Sequence, residues 1–236
     1  NDASRPVKDS EKEACAAAGI GFIELKVGVD GLTVVTNPDN DFVECLTWSQ
    51  LRKIWDTGST VKNWSDVDPG FPAEEIKLFG PGPDSGTFDF FTEEINGKTD
   101  QSRSDFTASE DDNVLSQGVQ NDKNALGYFG YAYFKEAGDK LKAVQIDKDQ
   151  DSKGAPVPAE KRKGCLAPTD SSINDGSYSL SRPLFIYVNK AALEKPQIRG
   201  FVEYYLENAK ALVTDVGYIP LSDAEYATGM ETLKAN

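Results

Sequence analysis

Histidine is absent from the 236 residues, and methionine occurs once. Without an imidazole, neither a Ser-His-Asp triad nor a Cys-His pair can be assembled within the chain, and zinc or iron sites built on histidine are excluded. Cysteine is scarce. Cys15, Cys45 and Cys165 lie too far apart for a CxxC motif and allow at most one internal disulfide, with three pairings open. No apolar run approaches the roughly 18 residues that a membrane helix needs; the longest clean one is 184–188. Positive charge is in deficit, with 25 Lys and Arg against 39 Asp and Glu, a net charge of −14. A chain without a basic tract is a poor partner for a phosphate backbone, which must be neutralised by Lys and Arg, so nucleic acid is not expected as a ligand. The same charge repels anionic lipid. Residue 1 opens a polar segment, Asn-Asp-Ala-Ser-Arg-Pro, with none of the character of a signal peptide.

What is present suffices for a core: 39% of residues are apolar and 10% aromatic, against disorder. The length exceeds one average domain and falls short of two large ones. Helix and strand signals alternate, which reads as an α/β fold. A helix is expected over 9–18, capped by Asp9 or Ser10 and stopped by Gly19. Apolar, β-branched runs predict strands over 20–27 and 32–36. Thr47 and Gln50 form a capping box for a helix ending near Trp55. A strand over 76–79, a helix over 88–95, a helix opening at 109–113, a strand over 126–129, a short helix over 131–137 and a strand over 141–146 follow. Residues 147–180 are polar and read as a long surface excursion containing Cys165. A strand at 184–188, a helix opened by Pro196 and running to about residue 210, and a last helix opened by the Ser222/Glu225 capping box complete the pattern. Trp48, Trp55 and Trp64 read as core aromatics.

The segment Gly80-Pro-Gly-Pro-Asp-Ser-Gly-Thr87 carries the most chemistry. It joins a strand to a helix start, where the first N–H groups lack intrahelical partners and the helix dipole is positive. Ser85 and Thr87 add hydroxyls, and Gly86 lets a ligand approach the backbone. Together these suit an anion without formal positive charge. The plainer reading is an ordinary N-cap. Asp84 beside it repels a fully ionised anion but can accept a proton from a protonated one. Arg5, with Ser4, offers a guanidinium fork for a tetrahedral oxyanion; a surface arginine in a turn is the plain alternative. Arg103 reads as part of a solvated loop, and Arg182 as the partner of a carboxylate near a domain crossing. Glu110-Asp-Asp112 lacks the spacing of a calcium loop, and Glu93 and Glu94 diverge by about 100° on their helix, too far to act as a carboxylate pair.

Gly80-Pro-Gly-Pro-Asp-Ser-Gly-Thr-Phe-Asp-Phe-Phe-Thr-Glu93 resembles the signature of the phosphate-binding proteins of phosphate ABC transporters. So do Ala3-Ser-Arg-Pro-Val-Lys8, Asp30-Gly-Leu-Thr-Val-Val-Thr-Asn-Pro38, Leu51-Arg-Lys-Ile-Trp55, Thr107-Ala-Ser-Glu-Asp-Asp-Asn-Val-Leu115, Ala125-Leu-Gly-Tyr-Phe-Gly-Tyr-Ala-Tyr133 and Leu180-Ser-Arg-Pro-Leu-Phe-Ile-Tyr-Val188. They follow the family's order over nearly the whole chain. The resemblance implies a two-lobed periplasmic-binding-protein fold (a type II Venus flytrap) with phosphate in the cleft, held by Ser85, Gly86 and Thr87, by Ser4 and Arg5, and with Asp84 as the candidate proton acceptor. Some members place an Arg four residues before the Ser of Ser-Gly-Thr; Pro81 stands there, and Arg5 is its candidate substitute. Members begin with a strand and a Ser/Thr-rich loop ahead of the Ser-Arg loop, so the first lobe is expected to be incomplete. That lobe would comprise 1–36 with 184–236, and the second lobe 37–183, with crossings at the X-Pro bonds 37–38 and 182–183, which favour extended backbone.

The function implied is non-enzymatic: binding of inorganic phosphate and delivery to the membrane permease of an ABC transporter. No catalytic residue, metal or cofactor is expected, and the chain should be a monomer. The implied location is periplasmic or extracellular, with a membrane anchor through a missing N-terminus. Thiols in such an oxidising compartment tend to pair, and Cys45 with Cys165, both in the second lobe, is the expected bridge. Cys15 would be a small buried apolar residue. The alternatives are a receptor for sulfate or molybdate, or a phosphate-sensing or phosphatase-like module. Sulfate carries no proton at neutral pH, so a carboxylate in the site would disfavour it.

Overall fold

A computed structural model describes residues 1–236. In chain order its elements are β1 (Asp2–Ala3), α1 (Asp9–Ala17), β2 (Phe22–Thr36), β3 (Cys45–Thr47), α2 (Trp48–Trp55), α3 (Trp64–Val67), β4 (Lys77–Gly80) and α4 (Gly86–Phe91). There follow β5 (Thr107–Ala108), α5 (Asp112–Gln120), β6 (Ala125–Gly130), α6 (Tyr131–Ala137), β7 (Lys142–Ala143), β8 (Gln145–Asp147), α7 (Asp170–Asn174), β9 (Ser181–Asn189), α8 (Pro196–Asp215) and α9 (Asp223–Lys234). The chain divides into two compact units, Asn1–Asp30 with Ser181–Asn236, and Gly31–Leu180. The chain therefore passes between units at 30–31 and 180–181, a few residues before each of the X-Pro bonds.

In the first unit β1 lies antiparallel to β9, with Asp2 opposite Ile186, and β9 neighbours β2. Ile23, Leu25 and Val27 alternate along β2 with more exposed Glu24 and Lys26, the period-2 pattern of a half-buried strand. They pack with Ile186, Val188, Val202, Leu206 and Leu233 into one core. Pro196 stands at the first position of α8, where its missing N–H costs nothing. Ser222 and Glu225 form the expected capping box of α9.

In the second unit the sheet is mixed. β6 runs antiparallel to the later half of β2, with Thr33 opposite Phe129, and parallel to β4, with Leu78 opposite Leu126. β5 lies parallel to β4, and β7 pairs with the end of β2. A separate parallel pair joins β3 to β8. Trp48, Trp55 and Trp64 are fully buried, as expected of core aromatics. Thr47 caps α2 in a box with Gln50. Cys45 and Cys165 are bridged, while Cys15 keeps its thiol.

Several expectations are corrected. The two strands at 20–27 and 32–36 are one strand of 15 residues. Its Gly31 does not break it: a Cβ there would stand 2.6 Å from Ile173, so the glycine makes room for α7. α1 is capped at Lys8, whose N–H is taken by Glu11, and not through Asp9 or Ser10; none of its residues is buried, so Cys15 is half-exposed. The expected strand at 141–146 is two short strands, because β7 and β8 pair with different neighbours. The stretch 147–180 is surface only in its first part; Ile173, Tyr178 and Leu180 are fully buried.

Candidate functional site

The second unit presents the Gly80–Thr87 turn on an aromatic bed. β4 ends at Gly80, whose carbonyl accepts from the Ser109 N–H. A Cβ on Gly80 would come 2.9 Å from the ring of Tyr128. Tyr128 stacks on Phe91 of α4 at 3.9 Å and meets Trp55 edge-on; Phe106 meets the same tryptophan edge-on. Such contacts fix both the strand before the turn and the helix after it. The buried Tyr128 hydroxyl is held well above its ordinary pKa by desolvation, and so stays neutral.

The helix expected over 88–95 begins two residues earlier. It runs as α4 through Phe91 and continues as one wider turn over Thr92–Asn96. Ser85 is its N-cap: its backbone is extended, its N–H reaches the Gly82 carbonyl, and its Oγ accepts from the Thr87 N–H at 3.2 Å. The N-cap of the plainer reading is present. One Ser85 lone pair serves the cap, while Gly86 is exposed and the side chains of Ser85 and Thr87 are only half-buried. Asp84 is exposed beside them. A second carboxylate, overlooked in the sequence, stands at the turn. The Glu110 side chain fills the space a Cβ of Gly82 would need. In the sequence Glu110 stands out only within Glu110-Asp-Asp112, so its place at the turn is decided by the fold.

In the first unit Ser4 and Arg5 follow β1. Arg182 reaches Ser4 Oγ at 3.5 Å and forms a largely buried ion pair with Asp30 at 2.9 Å, the carboxylate partner its sequence position suggested. The Arg5 guanidinium forks onto Glu11, with contacts of 2.7 and 2.9 Å, and also donates to the Pro6 carbonyl. The Arg5 hydrogen bond, aided by the Lys8 N–H, lowers the Glu11 carboxyl from 4.5 to about 2. A depressed carboxyl pKa contributes stability above the unfolded value and loses it as pH falls from 4.5 towards 2. Arg5→Ala is expected to raise the Glu11 pKa towards 4.5, with Lys8 preserving part of the depression. A carboxyl NMR titration reads this directly; an unmoved Glu11 would exclude the fork in solution.

Arg103 is not in a solvated loop. It is 9% exposed, and its guanidinium binds the carbonyls of Ile54 and Val61 and grips Asp105 with both arms. Ile54 lies in the last turn of α2, where carbonyls have no intrahelical donors, and its carbonyl recruits the arginine.

Comparison with known proteins gives a consistent set of relatives. The profile of the PBP superfamily domain matches residues 3–209. Protein SphX of Synechocystis is 42% identical over 232 residues, covering 97% of this chain and 65% of that protein. The phosphate-binding protein PstS of Staphylococcus haemolyticus is 38% identical over 235 residues, covering 99% of this chain and 69% of that protein. The chain thus spans about two thirds of the length of these relatives. Among solved structures, that of a possible phosphate binding protein from Planctomyces limnophilus superposes with a TM-score of 0.89 at 47% identity, covering 99% of this chain and 79% of that one.

Proposed function

The chain belongs to the PBP superfamily and, within it, to the phosphate-binding proteins represented by PstS, and from that premise we propose that it binds inorganic phosphate for delivery to the permease of an ABC transporter, without turnover, in the periplasm or outside the cell. The carrying observation is the start of α4. Exposed Gly86 and the half-buried hydroxyls of Ser85 and Thr87 gather at a helix N-terminus that an aromatic bed holds in place. In the second unit the proposed ligands are Ser85, Gly86 and Thr87. In the first unit they are Ser4 and Arg5, the latter sharing its fork with Glu11. Asp84 is the proposed acceptor of the phosphate proton, and Glu110 shares the turn with it.

With a net charge of −14, long-range attraction cannot draw in an anion. Affinity must come from preorganised short-range donors. Removing one hydrogen bond to a charged ligand costs about 1.5–3 kcal/mol, roughly 10–150-fold in affinity. Thr87→Val is therefore expected to weaken phosphate binding by that factor with the fold intact, and Asp84→Asn to narrow the preference for phosphate over sulfate. Titration calorimetry with both anions checks each; unchanged phosphate affinity in Thr87→Val would move the site elsewhere. The sulfate-receptor alternative is disfavoured by the two carboxylates at the turn, which repel an anion that has no proton to share.

A further inference from the structure

Ser4, Asp30 and Arg182 are distant in sequence and meet inside the first unit. Asp30 is the last residue of that unit before the chain leaves it, and Arg182 is the second after its return. Each of the two charged side chains is only 14% exposed, so the pair lies largely out of water. The guanidinium divides its donors. Nε at 3.0 Å and Nη2 at 2.9 Å both reach Asp30 Oδ2, while Nη1, outside that fork, reaches Ser4 Oγ at 3.5 Å. The strand that leads into Ser4 has two residues, so its backbone pairing is a short anchor for the hydroxyl.

This division sets the direction of the Ser4 hydroxyl. A hydroxyl carries one donor and two lone pairs, whereas a guanidinium has donors only. The Nη1 contact therefore occupies a Ser4 lone pair and leaves the Ser4 proton to be given elsewhere. The ionised oxygens of an oxyanion accept such a proton. Linked hydrogen bonds polarise one another, so a Ser4 hydroxyl that donates to an anion becomes a better acceptor for Nη1 in turn. The charge of Arg182 is thus felt at the anion through Ser4, while the ion pair with Asp30 adds no net charge to the unit. We infer that Arg182, oriented by Asp30, is a positioning residue for phosphate: it presets Ser4 as a donor and relays its charge through the hydroxyl without touching the ligand. The inference rests on the reading of Ser4 as a phosphate ligand.

Arg182→Lys separates this role from the ion pair, because an ammonium still pairs with Asp30 but has no planar fork to serve Asp30 and Ser4 together. In titration calorimetry with inorganic phosphate, Arg182→Lys and Ser4→Ala are each expected to weaken binding about tenfold or more. In the Ser4→Ala background, Arg182→Lys should add less than about a further twofold, since its effect runs through the hydroxyl. Arg199→Lys, at an arginine of the same unit that binds the Leu233 carbonyl, should leave affinity unchanged. A second readout needs neither phosphate nor a change at Arg182: in the ligand-free protein, the NMR signals of the Arg182 Nη protons should shift in Ser4→Ala. Full affinity in Arg182→Lys, losses that multiply in the double variant, or Nη signals that ignore Ser4→Ala would overturn the inference and leave the functional reading standing. If the unaltered protein bound no phosphate, the functional reading itself would fall, and this role of Arg182 with it.

Discussion

Arg103→Ala is expected to cost about 3–5 kcal/mol, the usual result of breaking a buried charged contact from one side. Three losses combine. The Ile54 and Val61 carbonyls, each bound at 3.0 Å by the same Nη1, lose their donor in a buried place. The space occupied by a side chain 7% exposed becomes a void. Asp105 loses the fork whose hydrogen bond lowers its pKa. The reverse deletion should be mild. Asp105 is 69% exposed, so Asp105→Ala leaves an arginine that still serves two carbonyls, and about 1 kcal/mol is expected. Arg103→Lys should recover only part of the loss, because an ammonium cannot reproduce the planar fork. The three tryptophans all lie in the second unit, so tryptophan fluorescence in a urea titration follows that unit alone. Equal midpoints for Arg103→Ala and Asp105→Ala would show that the guanidinium is not a staple. A loss of this size also has a functional reading. Arg103 holds the end of α2, where Trp55 joins the aromatic bed beneath the candidate anion site, so phosphate affinity should fall with it.

Reduction of the Cys45–Cys165 bridge is the second large expected effect. The bridge spans 120 residues, and chain-entropy arguments put the stabilisation from closing so long a loop at about 4–5 kcal/mol, with native bridges commonly giving 2–5. Cys45 begins β3, and Cys165 precedes Leu166, which bridges to Ile146 of β8. The cross-link therefore ties the excursion after β8 to the β3–β8 pair. Asp147 with Arg162, and Asp149 with Ser49, hold the same excursion by ion pair and hydrogen bond. Cys45→Ser and Cys165→Ser should each lower the fluorescence midpoint by about 5–15 °C, at about 2–4 °C per kcal/mol for a unit of this size. Cys15→Ser, in the other unit and outside the bridge, should leave it in place. Limited proteolysis after Lys153 and Lys161 should accelerate in the bridged-cysteine variants. A midpoint shift below about 2 °C, worth at most about 1 kcal/mol, would mean that the excursion is already held without the bridge.

Local rules of the chain were legible from its residues. The capping boxes at Thr47 and Ser222, the Pro196 helix start and the strand–turn–helix at 77–91 rest on interactions within a few residues, so sequence contains all of their physics. Motif order likewise carried the family. Contacts distant in sequence were another matter. The apolar runs at 20–27 and 32–36 predict two strands, yet they are one, and its Gly31 makes room for Ile173, some 140 residues away. Arg103 looked solvated because its partners, the carbonyls of Ile54 and Val61, are backbone groups that no composition or spacing reveals. Glu110 at Gly82 is a meeting of loops, while Arg182 of β9 meets Ser4 and Asp30 of β2; both are decided by how the strands are ordered in their sheets. Ser85 shows the division within one residue. Sequence determined that it would open a helix beside a glycine and a threonine. Only the folded backbone decided that its Oγ spends a lone pair on the Thr87 N–H, because that requires the extended conformation which the packed turn imposes.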